Sequence, residues 1–144
     1  MKKLLLVVLT MLAFGTTSAQ FKVAGKQKMP EIVWKDAFSW VALYQQEVSN
    51  GELYYFIGLR SSNQFDDKML LHLGKKDKAK VTLQQLANEL HKEGEIYELS
   101  DDKGDPFTMH CIAMNYYRIY KTRYAGYGTF SIGQVRKMQS AIVD

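Results

Sequence analysis

Hydrophobic positions along the chain follow three regimes: an apolar run at the start broken only by Thr10, alternating stretches through the middle, and two stretches with helical spacing. The clearest alternating signal is Trp40 to Val48 and Leu53 to Arg60, two runs rich in aromatic and β-branched residues around Ser49-Asn50-Gly51-Glu52. Asn-Gly between such runs favours a hairpin, because a type I′ turn needs positive φ at both central residues. A second pattern competes with it. Val33, Ala37, Val41, Tyr44 and Val48 fit a 3.6-residue period, which describes a helix from Pro30 to Val48 ended at Gly51. The hairpin is the preferred reading of 40–60, and residues 31–37 stay open between strand and helix.

Beyond the hairpin, Ser61 to Asp67 forms a turn, Lys68 to Leu73 a short strand, and Gly74 to Lys80 a charged loop. Thr82 then acts as an N-cap with Gln85 completing a capping box, and Leu83, Leu86, Ala87 and Leu90 make one apolar stripe. Gly94 suits the left-handed position after that helix. Glu95 to Leu99 reads as a strand and Asp101 to Pro106 as a turn. Phe107 to Tyr120 reads as one long β segment with room for a bulge. After a turn at Tyr124 to Gly128, a second capping box, Ser131 with Gln134, opens a helix whose inner face is Ile132, Val135, Met138 and Ile142.

The expected fold class is α+β: a largely antiparallel β-sheet with two amphipathic helices packed on one face. The two helix starts, Thr82 and Ser131, are alike enough to be compatible with a degenerate βββα duplication.

The opening run changes the expected location. Lys2 and Lys3, the apolar stretch Leu4 to Phe14, and Gly15-Thr16-Thr17-Ser18-Ala19 have the three parts of a cleavable signal peptide over residues 1–19. That stretch falls short of the roughly 20 residues a spanning helix needs. Residues 20–144 are then a single domain, with 20–30 a flexible lead-in, periplasmic or secreted and without a transmembrane segment.

Charge narrows the partner class. The chain has 19 basic and 15 acidic residues, and removing Lys2 and Lys3 leaves 17 against 15. So small an excess, in an exported domain, argues against nucleic acid. Cys111 is the single cysteine, so an internal disulfide is impossible and the domain depends on packing.

Candidate chemistry is sparse. Cys111 with His72 or His110 is the weak catalytic alternative, a small exported cysteine-dependent hydrolase; a thiolate nucleophile needs a base within reach. His110 neighbours Cys111 in sequence, and adjacent strand residues point to opposite faces. His72, His91 and His110 lack the spacing of a zinc site. Asp101, Asp102 and Asp105 lack the spacing of a calcium loop, so neither metal nor cofactor is expected. The leading expectation is a non-catalytic domain that binds an envelope protein or a glycan. Tyr116, Arg118 and Tyr120 would share one face of a strand, opposite Tyr117, Ile119 and Lys121. Tyrosine supplies a large rigid surface with a polar tip, and arginine a planar charged one.

Overall fold

The computed structural model describes residues 28–38, 40–63 and 68–144, with the side chain of Met114 excluded. The expected leader, residues 1–19, and the lead-in as far as residue 27 lie outside the described residues. The fold is α+β: two four-stranded antiparallel sheets and two helices.

The first sheet is a meander of β1 (Glu31–Lys35), β2 (Val41–Glu47), β3 (Leu53–Leu59) and β4 (Met69–Lys75). β2 and β3 form the expected hairpin, paired from Val41 with Leu59 to Glu47 with Leu53. Asn50 and Gly51 hold φ of 76° and 74°, the left-handed pair that the Asn-Gly signal called for. The Val48 N–H donates to the Glu52 carbonyl at 2.8 Å and closes the loop. Strand β1 settles residues 31–35 as extended rather than helical. Alternation does the sorting. Leu43, Ile57 and Leu71 lie in one inward row, while Tyr44, Phe56 and His72 lie in the adjacent outward row.

α1 (Lys76–Asn88) follows β4 directly, so Gly74 to Lys80 is not a loop and Thr82 is not an N-cap. The helix starts six residues before Thr82, with Lys75 as a cap that makes no side-chain hydrogen bond. Burial explains the earlier start. Ala79 sits one turn before Leu83 and is fully buried, so the apolar stripe Ala79, Leu83, Leu86 and Ala87 extends backwards while Lys76, Asp77, Lys78 and Lys80 take the solvent side. The helix also ends before the expected Gly94, whose φ of 83° instead serves the turn into the next strand.

The second sheet comprises β5 (Ile96–Ser100), β6 (Pro106–Ile112), β7 (Tyr116–Tyr120) and β8 (Gly128–Ser131). The segment 107–120 is therefore not one β run. A short 3-10 turn at Ala113–Asn115, with Asn115 at a φ of 61°, folds it back so that β6 pairs with β7. Asparagine tolerates that left-handed backbone, which is why a chain without Gly or Pro at this point can still reverse. β8 supplies a strand where only a turn was expected.

α2 (Ile132–Ala141) opens on the expected capping box: Gln134 N–H donates to the Ser131 hydroxyl, and the Ser131 N–H donates to the Gln134 side chain. Ile132, Val135, Met138 and Ile142 are all buried. The helices pack on each other, α1 also against β3 and β4, and α2 against β1 and β8. Both sheets and both helices contribute to one hydrophobic cluster. The Tyr117 hydroxyl, buried in it, donates to the Leu86 carbonyl at 2.9 Å. At the seam of the sheets Gly128 lies against Leu59, where an added Cβ would come within 2.7 Å of the Leu59 Cβ.

Candidate functional site

Strand β7 sorts its side chains as alternation requires. Tyr117 and Ile119 are buried, and Tyr116, Arg118 and Tyr120 share the outer face of the second sheet. Register brings further residues to them. His110 pairs with Arg118 across β6, and its ring packs 4.7 Å from Tyr120. Tyr127, from the β7–β8 loop, packs 5.7 Å from Tyr120 on another side. The Arg118 guanidinium sits 4.8 Å from the Tyr127 ring centroid, in the range of a cation–π contact. Tyr116 is 44% exposed, and Ile96 on the edge strand is 61% exposed. Each ion pair among the described residues uses a lysine, so Arg118 carries its charge on an aromatic ring without a carboxylate partner. A stacked guanidinium keeps its N–H donors directed at its edge, available to a ligand.

The outer face of the first sheet carries a second aromatic arrangement that sequence reasoning missed. Ile32, Tyr44, Phe56 and His72 lie in register across its four strands. Tyr44 and Phe56 stack at 5.2 Å, with their planes 9° apart. Gly58 leaves room for this, since a Cβ there would fall 2.8 Å from Tyr44 Cε2. The Lys68 ammonium donates to the Tyr44 hydroxyl at 2.9 Å, at the hydroxyl edge of the ring. Beside the row is an open groove of about 570 Å³, lined by Tyr54, Phe56, His72, Gln46 and two lysines, Lys28 and Lys103. The signal was present in the hairpin's period of two, which places Tyr44, Tyr54 and Phe56 on one face once the register is set.

Between the sheets, the β5–β6 turn clasps the edge of β4. The Asp102 N–H donates to the His72 carbonyl at 2.8 Å, and the His72 N–H donates to Asp101 Oδ2 at 3.3 Å. Lys121 reaches in from the end of β7, donating to the Leu70 carbonyl at 2.8 Å and to Asp101 at 3.2 Å. The side chains of this ion pair are 9% and 2% exposed. Burial alone would raise the Asp101 carboxyl, but the N–H donors of Asp105 and His72 together with Lys121 hold it below its ordinary range. Asp102 is lowered by its hydrogen bonds from Lys78 and from the Tyr54 hydroxyl. Burial, then the charge of Lys103, lowers His72, whose Nδ1 is buried without a hydrogen-bond partner. These groups satisfy the backbone of an otherwise open strand edge, a structural use of perturbed titrating groups.

Cys111 is not brought together with His72 or His110. Cys111 is 4% exposed on the inner face of β6, and its thiol donates to the Leu90 carbonyl at 3.5 Å. Burial, with the nearby Glu95, raises its pKa, the setting of an inert structural thiol. His110 faces outward beside Tyr120, and His72 packs with Tyr54 and Phe56 on the other sheet. Comparison with known protein families, with curated proteins and with solved structures finds no match for this chain.

Proposed function

We propose that this protein is an exported, non-catalytic domain that binds an envelope protein or glycan through the outer face of its second sheet. The observation that carries the reading is Arg118, stacked on Tyr127 without an acidic partner, between Tyr116 and Tyr120 on an accessible face. Ring contacts from His110 and Tyr127 hold Tyr120 on two sides, so the face is ordered before a partner arrives and loses little conformational freedom on binding. Tyrosine and arginine are also the residue types that dominate binding energy at interfaces. Export is supported by the basic, apolar and small-residue segments of positions 1–19. The cysteine-dependent alternative has less support, because the Cys111 thiol is buried, raised in pKa and donates to the Leu90 carbonyl, while His110 faces the opposite side of β6 and His72 packs on the other sheet.

The test is retention of partners from cell-envelope extract by the purified protein and by Tyr116→Ala, Arg118→Ala and Tyr120→Ala, with separate protein and glycan readouts. Each substitution should weaken retention by about tenfold, the effect of losing a little over 1 kcal/mol of interface energy, while circular dichroism stays unchanged. Unchanged retention in all three removes this face from consideration. Mass spectrometry of the protein from whole cells checks export, and an intact Met1 or Leu4 in the accumulated product would contradict it.

A further inference from the structure

We infer that the partner is an anionic glycan, held along a strip of cations paired with aromatic side chains that crosses from the second sheet onto the first; this rests on the binding role proposed above.

Among the described residues four cations sit against aromatic side chains: Arg118 and Arg123 lie 4.8 and 5.9 Å from the Tyr127 and Tyr124 ring centroids, Lys68 donates to the Tyr44 hydroxyl, and Arg60 lies 5.8 Å from the Trp40 ring centroid. None of the four is in an ion pair among the described residues. They are also neighbours. The Tyr124 hydroxyl donates to the Lys68 carbonyl at 3.2 Å, which joins the second and third pairs. The Ser62 N–H donates to the Tyr127 carbonyl and the Tyr127 N–H to the Ser62 hydroxyl, which ties the first pair to the end of β3, beside Arg60. The Arg60 N–H in turn donates to the Trp40 carbonyl at 2.7 Å. These links set lysine and arginine heads beside phenol and indole rings, from Arg118 on the second sheet to Arg60 at the end of β3. Of the described carboxylates, Asp105 shares a hollow with Arg123 and Tyr124 and faces Lys121 at 3.8 Å, and Glu98, on the edge strand, lies opposite Thr108, itself opposite Tyr120.

Charge complementarity calls for an anion, and the composition of the strip selects which kind. A globular protein partner needs an apolar centre that loses its water. Here the well-exposed apolar side chains are spread out, Phe38 and Trp40 at one end, Tyr116 and Ile96 at the other and Ile32 beside Tyr44, with phenol, ammonium and guanidinium groups between them. A single-stranded nucleic acid needs free ring faces for its bases. Here Phe56 stacks on Tyr44, the Arg118 guanidinium lies against Tyr127, and His110 and Tyr127 flank Tyr120, so these rings already have partners. A linear polymer of hydroxyls and regularly spaced carboxylates or sulfates asks for neither. It accepts hydrogen bonds from forked guanidinium groups, exchanges them with tyrosine hydroxyls, and lies edge-on along the strip.

The test is titration of the purified protein with fluorescently labelled oligogalacturonate, against a neutral galactan of equal length, polyglutamate and a single-stranded oligonucleotide. Oligogalacturonate should bind and the galactan should not. Binding should weaken as salt shortens the screening length. Arg118→Gln and Arg60→Gln should each lose about tenfold, the scale of one exposed charge-assisted hydrogen bond, with unchanged circular dichroism. Arg60→Gln decides the crossing, since it lies on the first sheet. Equal binding of the galactan, equal or tighter binding of polyglutamate or the oligonucleotide, or an unaltered Arg60→Gln would overturn the inference. If no polyanion binds but envelope retention still depends on Tyr116 and Arg118, the anionic glycan falls and the binding role stands. If both fail, both fall.

Discussion

Replacing Asp101 with alanine should destabilise the protein far more than removing the cation it faces. In Asp101→Ala the Lys121 ammonium, 9% exposed, keeps the Leu70 carbonyl at 2.8 Å and the Asp105 carboxylate at 3.8 Å. Leaving a buried charge without its main partner costs roughly 3–5 kcal/mol. The surviving contacts bring the expected loss to about 2–4 kcal/mol, including the bonds Asp101 accepts from the Lys103, Asp105 and His72 N–H groups. For a domain of this size each kcal/mol lowers Tm by about 4 °C, so a drop of about 8–16 °C is expected in thermal unfolding followed by circular dichroism. Lys121→Met removes the charge and keeps the aliphatic stem, and Asp101 still accepts its backbone donors; its cost should be about 1–2 kcal/mol. The double variant should be more stable than Asp101→Ala alone, because no unpaired ammonium remains in it. The reasoning is refuted if Lys121→Met costs more than Asp101→Ala, or if the double variant is the least stable of the three.

Glycine substitutions should change sign with location. Gly128→Ala, forced against the buried Leu59, should cost about 1–3 kcal/mol, whereas Gly133→Ala in α2, with its nearest neighbour 3.8 Å away, should gain about 0.5–1 kcal/mol; urea denaturation of both checks the contrast. His72 is lowered in the fold, so the unfolded chain takes up its proton first. Its contribution is complete above the unfolded pKa of about 6.5 and declines as pH falls below that. Stability measured from pH 7.5 to 5.5 should therefore fall more steeply in the parent than in His72→Gln, and identical slopes would rule the assignment out. Native Cys111 should resist thiol reagents at neutral pH and react promptly in denaturant, since burial both hides it and keeps it protonated; fast labelling of the folded protein would revive the nucleophile.

What was legible in the sequence was local. The β2–β3 hairpin and the α2 capping box each rest on residues within a few positions, Asn50-Gly51 in one and Ser131 with Gln134 in the other, and both form as expected. The start of α1 was illegible because Thr82 and Gln85 make an equally good local signal that a tertiary contact overrides, the burial of Ala79. The break at Ala113–Asn115 has no Gly or Pro to announce it; pairing of β6 with β7 imposes it. The candidate site divides in the same way. A period of two puts Tyr116, Arg118 and Tyr120 on one face, but His110 and Tyr127 join them only through strand register and a loop. The aromatic row on the first sheet needed three registers at once, and the Asp101–Lys121 clasp joins the β5–β6 turn to the residue that follows β7.

One short segment connects the interior of this fold to its surface. Lys121 turns inward to the acidic turn, and Arg123, Tyr124 and Tyr127, a few residues on, carry the middle of the cationic strip. Gly126 lets that segment lie directly against the β3–β4 connection, since a Cβ there would meet the Ser62 hydroxyl at 2.5 Å and the Asn63 nitrogen at 2.7 Å. The contacts that join the sheets therefore also align the rings across them, and loosening one should disorder the other. Asp101→Ala should weaken anion binding as well as stability, although its carboxylate lies behind the strip. Tyr116→Ala, at the exposed end of β7 and away from the clasp, should weaken binding and leave Tm within about 2 °C. If Asp101→Ala melts early yet binds at full strength below its transition, the strip does not depend on the clasp, and the two sheets present their aromatic faces independently.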